Sequence, residues 1–384
     1  MASLTDKKLA YLAETKRLIR EAIVAKGQTV SVNDTFRSYA EKIMAISSTK
    51  QKIKFQYRTT VTPNEGDWFY SATSDISPDG RYLLCRSNST KVMDVFDLTT
   101  NTVAWTVKDE NGEPIATSAH MKFDRTGEAV WGVRDSADTK VKEVYKATAN
   151  SFEVVTTYTE ATAAGVFLPT CIACAPDRDE VYIFYMVNVG NYVLENRSLM
   201  YIDGEWKANT FTIDIPNGVH VTNDGVYAVA YGNTIQRFDR RTGVPFADPL
   251  DPPGTINNMT LTADNNYVVE TRGGKAANGE AIPILSIYRV SDYEELYDFQ
   301  NYFTELGFSY CVPGTNVIVF AYQQETTVRV FDTSSGSPVE IVEAITPQTD
   351  WGSNDGVMCS YSGNRVVIKH GSGYEVWDVL PAES

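Results

Sequence analysis

The sequence predicts a mainly β fold: a seven-bladed β-propeller over residues 51–384, preceded by an N-terminal α-helical hairpin over residues 1–50. The propeller is predicted by a polar turn, a buried strand and a later aromatic residue that recur about every 45 residues. An extra strand before the first repeat also favours a closed ring of blades. The hairpin is predicted by apolar residues that recur every three or four positions before residue 50.

Each repeat opens with a short segment typical of a hairpin turn, because Gly and Asn tolerate positive φ and Asp bonds to its own backbone. The seven segments are Ser77-Pro78-Asp79-Gly80, Asp124-Arg125-Thr126-Gly127, Pro176-Asp177-Arg178-Asp179, Thr222-Asn223-Asp224-Gly225, Thr262-Ala263-Asp264-Asn265, Pro313-Gly314-Thr315-Asn316 and Ser362-Gly363-Asn364. Seven turns predict seven blades. Six or eight blades would require the fifth or sixth repeat to be miscounted.

An apolar run rich in β-branched and aromatic residues follows each turn, as in Val181-Tyr182-Ile183-Phe184, and predicts a strand packed on both faces. A third strand then ends on an aromatic residue and its neighbour: Phe96-Asp97, Tyr145-Lys146, Tyr201-Ile202, Phe238-Asp239, Tyr288-Arg289, Phe331-Asp332 and Trp377-Asp378. Most repeats continue through a polar turn into a fourth strand. The predicted blade is therefore a four-stranded antiparallel sheet.

In these pairs the chain resembles the WD-type and related β-propellers, whose blades carry an aromatic–Asp pair near the end of the third strand. Among these pairs only Trp377-Asp378 is a Trp-Asp dipeptide, and the Gly-His pair that opens many WD repeats is missing. The resemblance implies an architecture and no particular partner or activity.

Residues Ile53 to Val61 alternate apolar and polar side chains and precede the first full repeat. The last repeat ends soon after its third strand. We therefore expect residues 51–61 to supply the outer strand of the last blade, which would close the ring and leave no open sheet edge.

The first 50 residues predict two helices. Leu9, Leu12, Ile19 and Ile23 recur at helical spacing in the first, and Gly27 provides its stop. The second begins at Asn33 or Asp34 and carries Phe36, Tyr39 and Ile43. Such short helices cannot bury their apolar stripes alone, so the six residues Leu12, Ile19, Ile23, Phe36, Tyr39 and Ile43 are the predicted attachment interface. The alternative is that the hairpin packs as a cap on the side of the propeller.

This N-terminal stretch resembles a module found at the N-terminus of tail and other virion proteins of tailed bacteriophages. The resemblance rests on Thr15 to Gly27, Val30, Thr35-Phe36-Arg37 and Tyr39 to Ile43. In those proteins the module precedes varied C-terminal domains. The resemblance implies an attachment or oligomerisation module, other virion proteins as partners, and an exchangeable domain displayed behind it.

Composition excludes several classes of protein. The formal net charge of −15 would repel a phosphate backbone, so no nucleic-acid partner is expected. No apolar run is long enough to span a bilayer, and the N-terminus lacks the apolar core of a signal peptide. We therefore expect no membrane insertion and no Sec-type export. The resemblance to virion proteins implies a protein that is made in the host cytoplasm and ends in the virion.

No catalytic or metal constellation is predicted. Five cysteines do not indicate a disulfide framework, and Cys171 and Cys174 lie three apart in a predicted strand, on opposite faces. They are expected to be buried thiols, and neither a metal nor another cofactor is expected. The acidic segment Asp109 to Glu113 lacks the spacing of a calcium loop and is interpreted as a solvated turn.

Three polar residues are candidates to line the central channel of the propeller: Asp75, His120 and His220. Each lies four residues before the aspartate of its turn. A metal or acid–base site there is the alternative to ordinary channel-lining side chains. Esterase and sialidase motifs are absent.

Two classes of function remain. The first is a non-enzymatic structural virion protein, whose helices dock to the particle, with the propeller displayed as a receptor-binding, fibre or decoration domain. A host surface receptor or glycan would then be a further partner, and the protein would be a homo-oligomer in the particle. The second class is a glycan-acting propeller enzyme or an intracellular protein-interaction scaffold.

Overall fold

The structure is a computed structural model. In the first 52 residues it describes residues 8, 12, 13, 15–17, 19, 20 and 31. Beyond them it describes residues 53–62, 74–86, 92–115, 121–138, 140–159, 165–167, 169, 171–176, 178–191, 193–209, 218–221, 227–231, 234–239, 244, 250, 255–261, 267–275, 281–289, 294–298, 307–313, 315–322, 327–333, 339–341, 344–349, 354–370 and 373–381. Contacts divide the chain into two compact units, Ile53–Leu380 and Met1–Lys52 with Pro381–Ser384.

The larger unit is built from antiparallel sheets, which confirms the prediction of a mainly β protein. Over the described residues there are seven sheets, numbered here in chain order. Sheet one holds β2 (Asp75–Ile76), β3 (Tyr82–Arg86), β4 (Met93–Asp97) and β5 (Thr102–Thr106); sheet two holds β6 (Met121–Phe123), β7 (Ala129–Asp135), β8 (Lys142–Thr148) and β9 (Phe152–Tyr158); sheet three holds β10 (Gly165–Val166), β11 (Cys171–Cys174), β12 (Val181–Gly190), β13 (Val193–Ile202) and β14 (Glu205–Asn209); sheet four holds β15 (Gly218–Val221), β16 (Tyr227–Tyr231) and β17 (Ile235–Asp239); sheet five holds β18 (Thr255–Leu261), β19 (Tyr267–Lys275), β20 (Ala281–Arg289) and β21 (Glu295–Asp298); sheet six holds β22 (Gly307–Cys311), β23 (Val317–Tyr322), β24 (Val328–Asp332) and β25 (Val339–Glu340); sheet seven holds β26 (Asn354–Cys359), β27 (Arg365–His370), β28 (Gly373–Pro381) and β1 (Ile53–Val61).

Most sheets have the four strands that the repeat predicts, and two differ. Sheet three has a fifth strand, because β10 and β11 both pair with β12. Strands β12 and β13 of this sheet are ten residues each, longer than any other described strand. Sheet four has three strands within the described part of the chain.

The residue types of the predicted turns determine the hydrogen bonds and backbone conformation of those turns. In the first repeat the Gly80 amide donates to the Ser77 carbonyl at 2.8 Å, with Gly80 at φ 75°, and the Ser77 hydroxyl donates to Asp79 at 2.6 Å. The second repeat has the same bond from Gly127 to Asp124 at 3.0 Å. A positive φ is readily adopted by Gly, so the turn residue predicted from sequence fixes the local conformation.

Apolar cores lie between consecutive sheets. One core joins Leu84 of sheet one to Met121 of sheet two, and others join sheets two and three, three and four, five and six, and six and seven. Val367 and Val376 of sheet seven share a core with Leu83 of sheet one. The first strands of sheets four and five, β15 and β18, also contact each other. Each sheet therefore contacts the next, and sheet seven shares an apolar core with sheet one.

Strand β1 occupies the outer position of sheet seven, beside β28. Ile53 and Phe55 pack against the core that sheets six and seven share, and Tyr57 meets Trp377 edge to face with ring centroids 5.5 Å apart. Arg58 binds Asp378 of β28 at 3.0 Å and the Leu98 carbonyl of the first repeat at 2.8 Å. The strand thus connects the two ends of the larger unit.

The described residues between 8 and 20 are all helical, in line with the first predicted helix. Ser31 is not in a helix. Ile23 and the second predicted helix, with Phe36, Tyr39 and Ile43, lie outside the described residues.

Candidate functional site

In every sheet the strand that precedes the turn of the repeat, called here the first strand of the sheet (β11 in sheet three), shares one register with the second strand, which follows the turn. In each, a residue that we call the inner position pairs with the residue nine places later on the second strand. The inner positions are Asp75, Lys122, Ala173, His220, Thr260, Tyr310 and Met358. Asp75 and His220 are therefore equivalent, as their distance from the turn aspartate predicted.

The equivalent residue of sheet two is Lys122, whereas the sequence suggested His120. Asp124 takes the turn position of Ser77, because the glycine amide three residues later donates to its carbonyl as it does to Ser77. If Asp124 is aligned with Asp79 instead, the equivalent position is displaced by two residues, from Lys122 to His120. His120 itself lies outside the described residues.

Lys122 and Asp75 form the best-defined polar contact among the inner positions. The Lys122 ammonium donates to one Asp75 carboxylate oxygen at 2.9 Å, and the Phe123 amide donates to the other at 2.8 Å. Burial acts to lower the pKa of Lys122, but the Asp75 charge and hydrogen bond outweigh it and the pKa is raised. Both oxygens of Asp75 are thus occupied by groups of sheet two.

His220 is half-buried and lies within electrostatic range of Lys122. Burial, and next the Lys122 charge, lower the pKa of His220 to about 4, although a hydrogen bond to the Met259 backbone acts in the opposite direction. The imidazole is therefore neutral at pH 7. It links the first strands of sheets four and five through that backbone bond.

This shift predicts an acid-dependent loss of stability. As pH falls below about 6.5, the unfolded chain binds a proton at His220 before the folded chain does, so folding weakens until about pH 4, by up to about 3 kcal/mol. Replacing His220→Gln keeps a hydrogen-bonding group and removes the titration. Urea unfolding at pH 7 and at pH 4.5 should show a smaller acid-induced loss for the variant. Equal losses in both proteins would exclude His220 as the cause.

Cys171 and Cys174 point to opposite faces of β11, as predicted. Cys171 packs in the core between sheets three and four, and Cys174 packs against the core between sheets two and three. Neither cysteine forms a disulfide, and burial raises the pKa of Cys174 well above its usual value. A neutral thiol is a poor nucleophile and a poor metal ligand at pH 7. Within the described residues no group of three or more His, Cys, Asp or Glu side chains is placed to hold a metal ion.

The acidic segment after β5 is used locally. Asp109 accepts the amides of Asn111 and Glu113 at 2.8 and 2.9 Å, and Glu110 forms an ion pair with Arg134 at 2.9 Å. The backbone bond from Glu113 is the main cause of a lowered pKa of Asp109. The segment is a turn closed by its own carboxylate, which agrees with the interpretation from sequence.

Two of the six predicted attachment residues fall on described helical positions. Leu12 is 51% exposed and Ile19 is half-buried. Neither side chain is fully buried within the chain, so this segment has apolar surface that a partner can reach. The other four residues lie outside the described part of the chain.

No protein-family model matches the chain, and no curated protein matches it at a significant level. Among the described residues, no helix has both the length and the apolar character needed to cross a membrane.

Proposed function

We propose that residues 53–380 form a seven-bladed β-propeller in which each sheet is one blade and β1 closes the ring. The shared cores between consecutive sheets, and between sheets seven and one, support this arrangement. Contacts between turns support it too, because Gly363 lies against the Pro313 carbonyl, Gly80 against Ser360, and Gly127 against Ser77. In a ring of blades the inner positions would line the central channel.

We further propose that the protein is a non-enzymatic structural component of a tailed-phage virion. The N-terminal helical segment would dock to the particle, and the propeller would be displayed as a receptor-binding, fibre or decoration domain. The observation that carries the proposal is the exposure of Leu12 on a helical segment, within the stretch that resembles a virion-attachment module. A half-exposed apolar side chain on a short helical segment indicates that the segment packs against the surface of a partner.

The inner positions favour a structural interpretation over catalysis. Asp75 is held by Lys122 and the Phe123 amide, and His220 by the Met259 backbone. These contacts join neighbouring sheets, so the polar groups of these half-buried side chains already have hydrogen-bonding partners within the protein. A general base would instead need its carboxylate or imidazole directed at a reacting group.

The docking role predicts that Leu12→Asp with Ile19→Asp prevents incorporation into particles. Burying a carboxylate in an apolar contact costs several kcal/mol, so incorporation should fall by about 100-fold or more. Incorporation is measured by quantitative mass spectrometry of purified particles. The matched control is Val103→Asp with Val154→Asp, which changes two exposed valines of the larger unit and should incorporate normally. Normal incorporation of the Leu12 and Ile19 variant would move attachment away from this segment.

A further inference from the structure

Two of the seven sheets extend further than the others at the end where their second and third strands connect. The shared register gives the comparison a common origin, which is the second-strand residue that pairs with the inner position. From that residue β12 continues for eight residues, over 182–190, and β19 for six, over 269–275. Strand β16 of sheet four continues for only two, over 229–231. The second strands of sheets one, two, six and seven continue for two to four residues.

Sheet four, with its short hairpin, lies between the two long ones. Phe184 of sheet three packs on Phe238 of sheet four, and the first strands of sheets four and five contact each other. At about 3.3 Å per residue, β12 extends about 20 Å and β19 about 13 Å beyond the end of β16. The two long hairpins are therefore the walls of a groove, and its floor is the end of sheet four, where Tyr231 pairs with Ile235. Packed sheets lie about 10 Å apart, so the groove is about one sheet wide.

The alternation of side chains shows which face of the sheet three hairpin borders this groove. Phe184 lies in the core shared with sheet four, whereas Val187 lies in the core shared with sheet two. Successive side chains of a strand point to opposite faces, and residues directly opposite in an antiparallel pair share a face. The face toward sheet four, called here the groove face, therefore carries two cross-strand pairs: Met186 with Asn196, and Asn188 with Leu194.

The groove face combines apolar and amide side chains and carries no charge. Leu194 is 50% exposed, and its three neighbours on this face are half-buried. The Asn188 side-chain oxygen accepts the Gly190 amide at 2.9 Å, and among the described residues no acceptor binds the side-chain N–H groups of Asn188. The two charged residues of the hairpin, Glu195 and Arg197, lie on the opposite face and bind each other at 2.7 Å.

The size of the groove and the charge of the chain restrict what can occupy it. A stable protein interface takes about 20–30 residues on each side, which a groove one sheet wide does not offer. An extended peptide would bind along a sheet edge, and the inner edge of β12 is already paired with β10 and β11. The net charge of −15 disfavours an anionic ligand. A narrow, neutral and hydrogen-bonding ligand remains.

A neutral sugar chain has this chemistry. Amide side chains both donate to and accept from hydroxyl groups, and apolar side chains pack on the C–H face of a sugar ring. Asn188 and Asn196 are diagonal neighbours across the strand pair, about 7 to 8 Å apart, which suits hydroxyl groups on two sides of one ring.

We propose that this groove binds a neutral oligosaccharide, with Met186 and Leu194 against a sugar ring and the two asparagines bonded to its hydroxyl groups. The inference rests on the proposed receptor-binding role of the displayed domain. It names the chemical class of the receptor and the place where the receptor binds.

The test compares two adjacent substitutions that lie on opposite faces of β13. Leu194→Asp puts a charge on the groove face, and Val193→Asp puts the same charge on the other face, where the native side chain is 52% exposed. A third variant replaces residues 273–283 by Asn-Gly, which ends the sheet five hairpin at the pair of Arg272 and Ile284 and removes the second wall. Each full-length protein is applied to a printed array of neutral oligosaccharides, with sialylated and sulphated oligosaccharides and random peptides as alternative probes. Urea unfolding confirms that the variants are folded.

Wild type is expected to bind neutral oligosaccharides of the array. Leu194→Asp and the shortened hairpin should each weaken this binding at least about tenfold, whereas Val193→Asp should stay within about twofold of wild type. Equal losses for Leu194→Asp and Val193→Asp overturn the proposal, as does full binding by the shortened hairpin. No binding to neutral oligosaccharides, or binding confined to acidic oligosaccharides or peptides, overturns it as well.

The array uses purified protein, so its outcome is independent of particle incorporation. If the Leu12 and Ile19 variant is excluded from particles while wild type binds no neutral oligosaccharide, the docking role stands and the saccharide groove is wrong. If that variant incorporates normally while Leu194→Asp alone loses saccharide binding relative to Val193→Asp, the groove stands and the docking role of the helical segment is wrong.

Discussion

A chain that begins at residue 63 is expected to be less stable than one that begins at residue 49 by on the order of 5 kcal/mol. The difference is β1, which gives Val61 to the core between sheets one and seven and places Arg58 between Asp378 and the Leu98 carbonyl. Removing it exposes β28 as an open edge and uncovers the apolar residues beneath. Urea unfolding of the two truncations measures the difference.

A loop control separates the effect of losing the strand from the effect of shortening the chain. Residues 53–61 are replaced in the full chain by a Gly/Ser segment of equal length, which keeps the connection and removes the strand. This variant should lose as much stability as the truncation at residue 63. Equal unfolding midpoints for the truncations at 49 and 63 would mean that β1 contributes little, and would count against a closed ring.

The sheets could be predicted from sequence because their signals are local. Turns such as Ser77 to Gly80 and runs such as Val317 to Phe320 depend on neighbouring residues, and the structure has a turn and a buried strand there. The fifth strand of sheet three could not be predicted, since a two-residue strand such as Gly165–Val166 has no periodicity. The ten-residue length of β12 and β13 was not predicted either, because the apolar run that indicates β12 covers only Val181 to Phe184.

Two of the inner positions could be predicted from the sequence, because they lie at a fixed distance from a residue of the turn. His220 and Asp75 could be matched because each precedes its turn aspartate by four residues. Lys122 was missed because the second turn has its aspartate at a different place, which only the backbone hydrogen bonds reveal. Aligning the turns by their glycines, Gly80 with Gly127, would have identified Lys122 from the sequence. Its ion pair with Asp75 depends on packing between two sheets, which no local pattern encodes.

Gly363→Ala is expected to destabilise the protein far more than Gly112→Ala, although both glycines have positive φ, 70° and 81°. Each substitution incurs about 1 kcal/mol or slightly more for an L-residue in the left-handed region. A methyl group at Gly112 meets open space, whereas at Gly363 it would overlap the Pro313 carbonyl of the neighbouring turn. That carbonyl is backbone and cannot rotate away, so the turns of sheets six and seven must separate.

This separation would also weaken the contact between the turns of sheets seven and one. The Ser362 amide donates to the Pro78 carbonyl at 2.9 Å, and the Asn364 side chain donates to the Asp79 carbonyl at 2.9 Å. We expect Gly363→Ala to cost about 3 to 5 kcal/mol and Gly112→Ala about 1 to 2 kcal/mol in urea unfolding. Similar costs for the two variants would mean that the turns adjust independently of one another. A large excess for Gly363 would mean that the contacts between turns hold neighbouring sheets together where sheets six, seven and one meet.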